Sequence, residues 1–88
     1  MELKDTAKEM ESSDFKDRFI AEYQQLVLRM HKIDLALENN KNSNALEPID
    51  VALLKEQYGY MSQYEDVLYQ RANDRLNIKL PTWDEIIN

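Results

Sequence analysis

The sequence predicts an all-α protein: an antiparallel hairpin of two long helices with a short N-terminal helical segment, assembled as a homo-oligomer. Three observations predict it. The 88 residues include one Gly and two Pro, so few positions can break a helix. Apolar residues recur at spacings of three, four and seven over two long stretches, the signature of helices with a buried face. A chain this short buries only about 60–65% of its unfolded surface, so further copies are expected to complete the core.

The elements follow in order, all within a single domain spanning 1–88. Residues 1–13 are polar, with Leu3, Ala7 and Met10 spaced for a short amphipathic turn. Ser12, Ser13 and Asp14 offer N-cap oxygens to the next helix. Residues 14–39 read as a long helix, with Phe15, Phe19, Leu26, Met30, Ile33 and Leu37 at helical spacing among good helix formers. Residues 40–47 read as a loop, because the Asn cluster competes for backbone hydrogen bonds and tolerates left-handed backbone. Residues 48–77 read as the second long helix, opened by Pro48, whose missing N–H costs nothing in a first turn. Within it Leu54, Met61 and Leu68 repeat every seven, and Gly59 interrupts at about 1 kcal/mol relative to Ala. In the tail 80–88, Thr82 and Glu85 have the spacing of a capping box, and Trp83, Ile86 and Ile87 supply an apolar face.

A short loop between long helices makes an antiparallel hairpin. Centring it near residue 44 pairs positions whose numbers sum to about 88, bringing Ile33 near Leu54, Leu26 near Met61 and Phe19 near Leu68. A second apolar stripe, Ile20, Val27 and Leu35 on the first helix and Val51, Tyr58 and Val67 or Leu76 on the second, implies a second packing partner.

Charge excludes several functions. With 11 Lys+Arg against 17 Asp+Glu the formal net charge is −6, which argues against binding long nucleic acid. The lack of a long apolar run argues against a membrane span, and Met1-Glu-Leu-Lys-Asp does not begin a signal peptide, so the cytoplasm is the expected compartment. No Cys is present and His31 stands alone, so neither a metal nor a cofactor is expected. No Gly-rich phosphate loop or nucleophile–base arrangement is found, and no enzymatic activity is expected.

Five polar residues interrupt the heptad lines: Glu22 and Arg29 on 15, 19, 22, 26, 29, 33, and Gln57, Arg71 and Arg75 on 54, 57, 61, 64, 68, 71, 75. One reading pairs Glu22 with Arg18 or Arg71 and sets Arg29 against Gln57, fixing register. Arg71 and Arg75 fit it less well, because like charges at i,i+4 repel, and two adjacent guanidiniums can instead hold a phosphate. Lys4 and Lys8 repeat that spacing. Five Tyr (Tyr23, Tyr58, Tyr60, Tyr64 and Tyr69) offer faces that can stack on nucleobases as well as fill a core.

Two strings carry a resemblance. One is Phe15-x-x-Arg18-Phe19-x-x-Glu22-Tyr23-x-x-Leu26-x-x-Arg29-x-x-Lys32-Ile33, the other Leu53-Leu54-x-x-Gln57-x-x-x-Met61-x-x-Tyr64-x-x-x-Leu68-x-x-Arg71. Together, over residues 14–76, they resemble the helical-hairpin family of phage anti-CBASS cyclic-nucleotide sponges and the related anti-Thoeris sponges, with length and N-terminal segment nearest the T-even-type phage member. The resemblance implies a homo-oligomer, a hexamer in that family. It implies a nucleotide-binding protein of immune evasion that sequesters cyclic di- or tri-nucleotides, such as cyclic GMP–AMP, in the host bacterial cytoplasm. The ligand is not cleaved, and the bacterial CBASS effector is never activated. By that likeness Arg18, Tyr23, Arg29, Tyr64 and Arg71 are the expected ligand-binding residues, with Arg75 and Lys8 added on charge. The alternative is a small adaptor or inhibitor that binds a host or phage protein through its apolar tail and outer helix face.

Overall fold

A computed structural model describes residues 13–88; the expected N-terminal turn, with Lys4 and Lys8, lies outside the described residues. Helix α1 runs Ser13–Ser43 and helix α2 runs Pro48–Gln70. Helix α2 continues into a six-residue π-helical turn, Arg71–Leu76, and a short helix α3, Trp83–Ile87, closes the tail. The two long helices pack side by side as the hairpin that the sequence predicts.

The loop is shorter than expected. Residues 40–43 belong to α1, and the helix stops where Asn44 takes left-handed backbone with φ of 53°. The Asn-rich stretch therefore ends the helix by capping it. Asn44 N–H donates to the Asn40 carbonyl at 2.8 Å, and the Asn40 side-chain oxygen accepts from Leu46 N–H at 2.7 Å. The first bond uses a carbonyl that a helix end leaves open, and the second ties the loop to the Asn40 side chain. Pro48 sits in the first turn of α2, as expected.

The buried line differs from the expected seam in a consistent way. On α1 it runs Phe19, Tyr23, Leu26, Met30, Ile33, with Val27 beside it. Glu22 and Arg29, which the sequence places on the seam, are exposed. On α2 Leu68 is buried and Tyr58, Met61 and Glu65 are half-buried, while Gln57, Tyr64 and Arg71 are exposed. The shared positions 19, 26, 33 and 54, 61, 68 stand; the residue between them is the one at i+4, not i+3. Desolvation selects this phase, because Tyr and Met enter the core where Glu and Arg would need buried partners. Among the described residues no polar or charged side chain outside Tyr23 is buried.

The tail completes one end of the hairpin. The π turn ends at Asn77, again left-handed with φ of 53°, and Ile78 N–H donates to the Ala72 carbonyl at 2.8 Å. The chain then turns back along α1, where Ile78 is buried and Leu80, Trp83 and Ile86 pack on the cluster of Phe19, Tyr23, Val27 and Leu68. The expected capping box at Thr82 and Glu85 forms in full. Part of the second apolar stripe, Ile20 and Val27, is thereby covered by the chain's own tail, whereas Leu35 and Val67 remain exposed.

Candidate ligand-binding cleft

Three hydrogen bonds fix the register of the hairpin. Tyr23 Oη donates to Glu65 Oε2 at 2.8 Å, Tyr58 Oη to Asp34 at 3.2 Å, and Tyr64 Oη to Glu22. The paired numbers sum close to 88, as the centred loop requires. Each tyrosine tethers one helix to a carboxylate on the other.

These tethers determine which groups remain for a ligand. Tyr23 is 2% exposed, and Trp83 Nε1 donates to the same Glu65 oxygen at 3.3 Å. Glu65 therefore joins α1, α2 and the tail. Burial pushes the Tyr23 hydroxyl well above the usual tyrosine range, and its bond to Glu65 adds to the rise. Burial likewise raises Tyr58, with Asp34 adding to it. Tyr64 is raised chiefly by its hydrogen bond to Glu22. All three keep their protons as donors.

At the end of the hairpin away from the loop, a cleft of about 290 Å³ is lined by Phe15, Arg18, Phe19, Glu22 and Arg71. Four of these are one face of α1, at i, i+3, i+4 and i+7. Arg71 crosses from the start of the π turn and sets its guanidinium 5.1 Å from the Phe19 ring centroid, a cation–π contact that holds it in place. The Phe15 and Phe19 rings lie 6.2 Å apart, tilted by 36°. Arg18 Nε reaches back to the Asp14 carbonyl at 3.3 Å. Neither arginine is ion-paired with Glu22; among the described residues the ion pair is Lys41–Glu38, fully at the surface.

The structure thus brings together Arg18 and Arg71, with Tyr64 beside them through Glu22. It does not bring Tyr23, Arg29 or Arg75 to this cleft. Tyr23 belongs to the core. Arg29 is exposed two turns along α1. Arg75 is exposed and does not line the cleft, although it follows Arg71 in the same π turn. Gln57 meets Met61 Sδ at 3.8 Å instead of Arg29. Sequence reasoning assigned Phe15 and Phe19 to the core seam and Glu22 to a structural pair; the cleft uses all three. The signal was present in the helical spacing from Phe15 to Glu22, read together with a register that sets Arg71 opposite.

Fold and cleft define a small helical hairpin with a recess that combines two guanidiniums, an aromatic wall and a carboxylate. The chain belongs to the Sequestin family, whose model matches residues 13–74, both long helices and most of the π turn. This is the family of the anti-CBASS and anti-Thoeris sponges, and its name denotes a sequestering role. Comparison with curated proteins and with solved structures gave no match. Among the described residues no helix is long and apolar enough to cross a membrane.

Proposed function

We propose that this protein sequesters cyclic di- or tri-nucleotide second messengers of bacterial immunity, such as cyclic GMP–AMP, without cleaving them, and so keeps CBASS effectors inactive. One observation carries the reading: guanidiniums from opposite helices, Arg18 and Arg71, converge on an aromatic-walled cleft. Arginine pairs with phosphate through two parallel N–H bonds, and aromatic faces stack on bases. The acidic chain as a whole does not oppose this, because charges around a recess dominate locally. The working compartment is the cytoplasm of the host bacterium.

The cleft lies at the small end of the range for ligand sites, about 300–1,000 Å³, so one copy covers only part of a cyclic nucleotide. A homo-oligomer, a hexamer by family likeness, supplies the remainder at its joins. Exposed Leu28 and Leu35 on α1, and Leu53, Tyr60, Val67 and Tyr69 on α2, give the apolar surface for that assembly. The adaptor alternative loses one of its two supports, since Trp83 and Ile86 already pack against the chain's own core.

Calorimetric titration with cyclic GMP–AMP, cyclic di-nucleotides and cyclic tri-adenylate tests the proposal. Binding by at least one, with intact ligand recovered after denaturation, is expected; no heat from any of them at micromolar protein would sink it. Arg71→Ala should abolish binding while helicity and oligomer mass persist.

A further inference from the structure

Glu22 is the part of the cleft that phosphate binding does not explain. A carboxylate beside two phosphate-holding arginines weakens their pull on an anion. Yet it is held in place: Tyr64, from the opposite helix, donates its hydroxyl to Glu22 Oε1. Glu22 makes no ion pair with Arg18 or Arg71, so it is not there to neutralise them. A carboxylate has about four acceptor sites, and Tyr64 fills one, leaving acceptors on both oxygens.

A fixed acceptor-only group against an aromatic wall calls for a ligand edge that is donor-only. We propose that Glu22 selects guanine: its two oxygens accept the N1–H and N2–H donors of a guanine base, while Arg18 and Arg71 hold the adjacent phosphodiester. Guanine presents those two donors side by side. Adenine presents one donor, N6–H, beside the N1 lone pair, which would face a carboxylate oxygen and repel it. Charge agrees with the assignment. Two guanidiniums and one carboxylate leave the cleft one net positive charge, which matches a single phosphodiester bearing a neutral base. Tyr64 is then a positioning residue, because it aims the carboxylate without touching the base.

This inference rests on the sequestration reading, and its test separates the two. Affinities for cyclic di-GMP and cyclic di-AMP are measured on the intact protein and on two variants. The wild type should favour cyclic di-GMP by about tenfold or more. Glu22→Gln offers one acceptor and one donor, the pair that suits adenine, and should narrow or invert the ratio. Glu22→Ala removes the acceptor without replacing it and should bring the two affinities together. Equal wild-type affinities, or a preference for cyclic di-AMP, would overturn guanine selection and leave sequestration standing. A guanine preference unchanged in both variants would remove Glu22 from the role. No binding of either ligand or of cyclic GMP–AMP and cyclic tri-adenylate would instead overturn the sequestration reading and this inference with it.

Discussion

The two ends of the hairpin are built differently. At the end away from the loop, α1, α2, the π turn and the returning tail meet, and Phe19, Tyr23, Val27, Leu68, Ala72 and Ile78 are buried together. At the loop end there are only two helices, and Leu35, Ile49 and Leu53 are about half or more exposed. Two helices can bury one stripe each, and a third layer is needed to close a core. The tail provides that layer at one end only. The cleft lies at the supported end, where Arg71 is held over Phe19, while the loop end leaves its apolar surface exposed.

Truncating core side chains at the two ends gives the largest contrast. Leu68→Ala, at a fully buried position, should lower stability by about 2–5 kcal/mol, and Leu26→Ala should cost a similar amount. Leu53→Ala, at a position 55% exposed, should stay within about 0.5 kcal/mol in an isolated chain. Chemical denaturation of each variant measures this. A large loss at Leu53 that grows with protein concentration would place that residue in an interface between copies.

Next is the clasp that sets the ends apart. Glu65→Leu removes the acceptor for both the buried Tyr23 hydroxyl and the half-buried Trp83 N–H; the unpaired Tyr23 donor should cost about 1–3 kcal/mol and Trp83 less. The tail should loosen with it, so trypsin should cut after Lys79 faster than in the wild type. The matching loop-end change, Asp34→Leu, frees only the half-buried Tyr58 hydroxyl and should cost less. Equal losses would show that the tail adds nothing to the supported end.

How far the sequence predicts these features depends on what each one requires. Helices, register and capping box follow from spacing, because Phe19, Leu26, Ile33 and Leu54, Met61, Leu68 repeat every seven whichever flanking residue joins them. Which neighbour joins is decided by desolvation across two helices at once, and a single helix read alone does not contain that comparison. This is why Glu22 and Arg29 were expected on the seam, whereas Tyr23 occupies the core beside Met30, which its apolar spacing had marked. The Asn cluster misled for a related reason: Asn disfavours helix interiors but also caps helix ends, and only the position of Leu46 settles which. For the cleft, Arg18 and Arg71 were named through the family resemblance, as was Tyr64, which reaches the cleft through its bond to Glu22. Phe15 and Phe19 were hidden by their fit to a core, and Arg75, added on charge, does not line the cleft.

Alkaline titration separates the ends by a smaller effect. Below about pH 10 Tyr23 is protonated in both folded and unfolded chains. Above it the unfolded chain loses that proton while the folded chain, with its raised pKa, holds it, so stability falls as pH rises. The slope is at most about 1.4 kcal/mol per pH unit for this group. Thermal melts from about pH 8 to 11 should show the decline, and Tyr23→Phe should flatten it more than Tyr58→Phe, since Tyr23 is the more deeply buried.

The smallest effect falls midway along α2. Gly59 has ordinary helical backbone, and a Cβ built there meets nothing within 4 Å. Gly59→Ala should therefore stabilise an isolated chain by about 0.5–1 kcal/mol, by reducing the freedom of the unfolded state. The same substitution probes the exposed α2 surface, where Tyr60 and Val67 lie. If that surface faces water in the assembly, the variant should melt higher with its oligomer mass unchanged. If a second copy packs its backbone closely against Gly59, the added methyl should weaken association instead, and the open space beside the glycine would mark where the copies join.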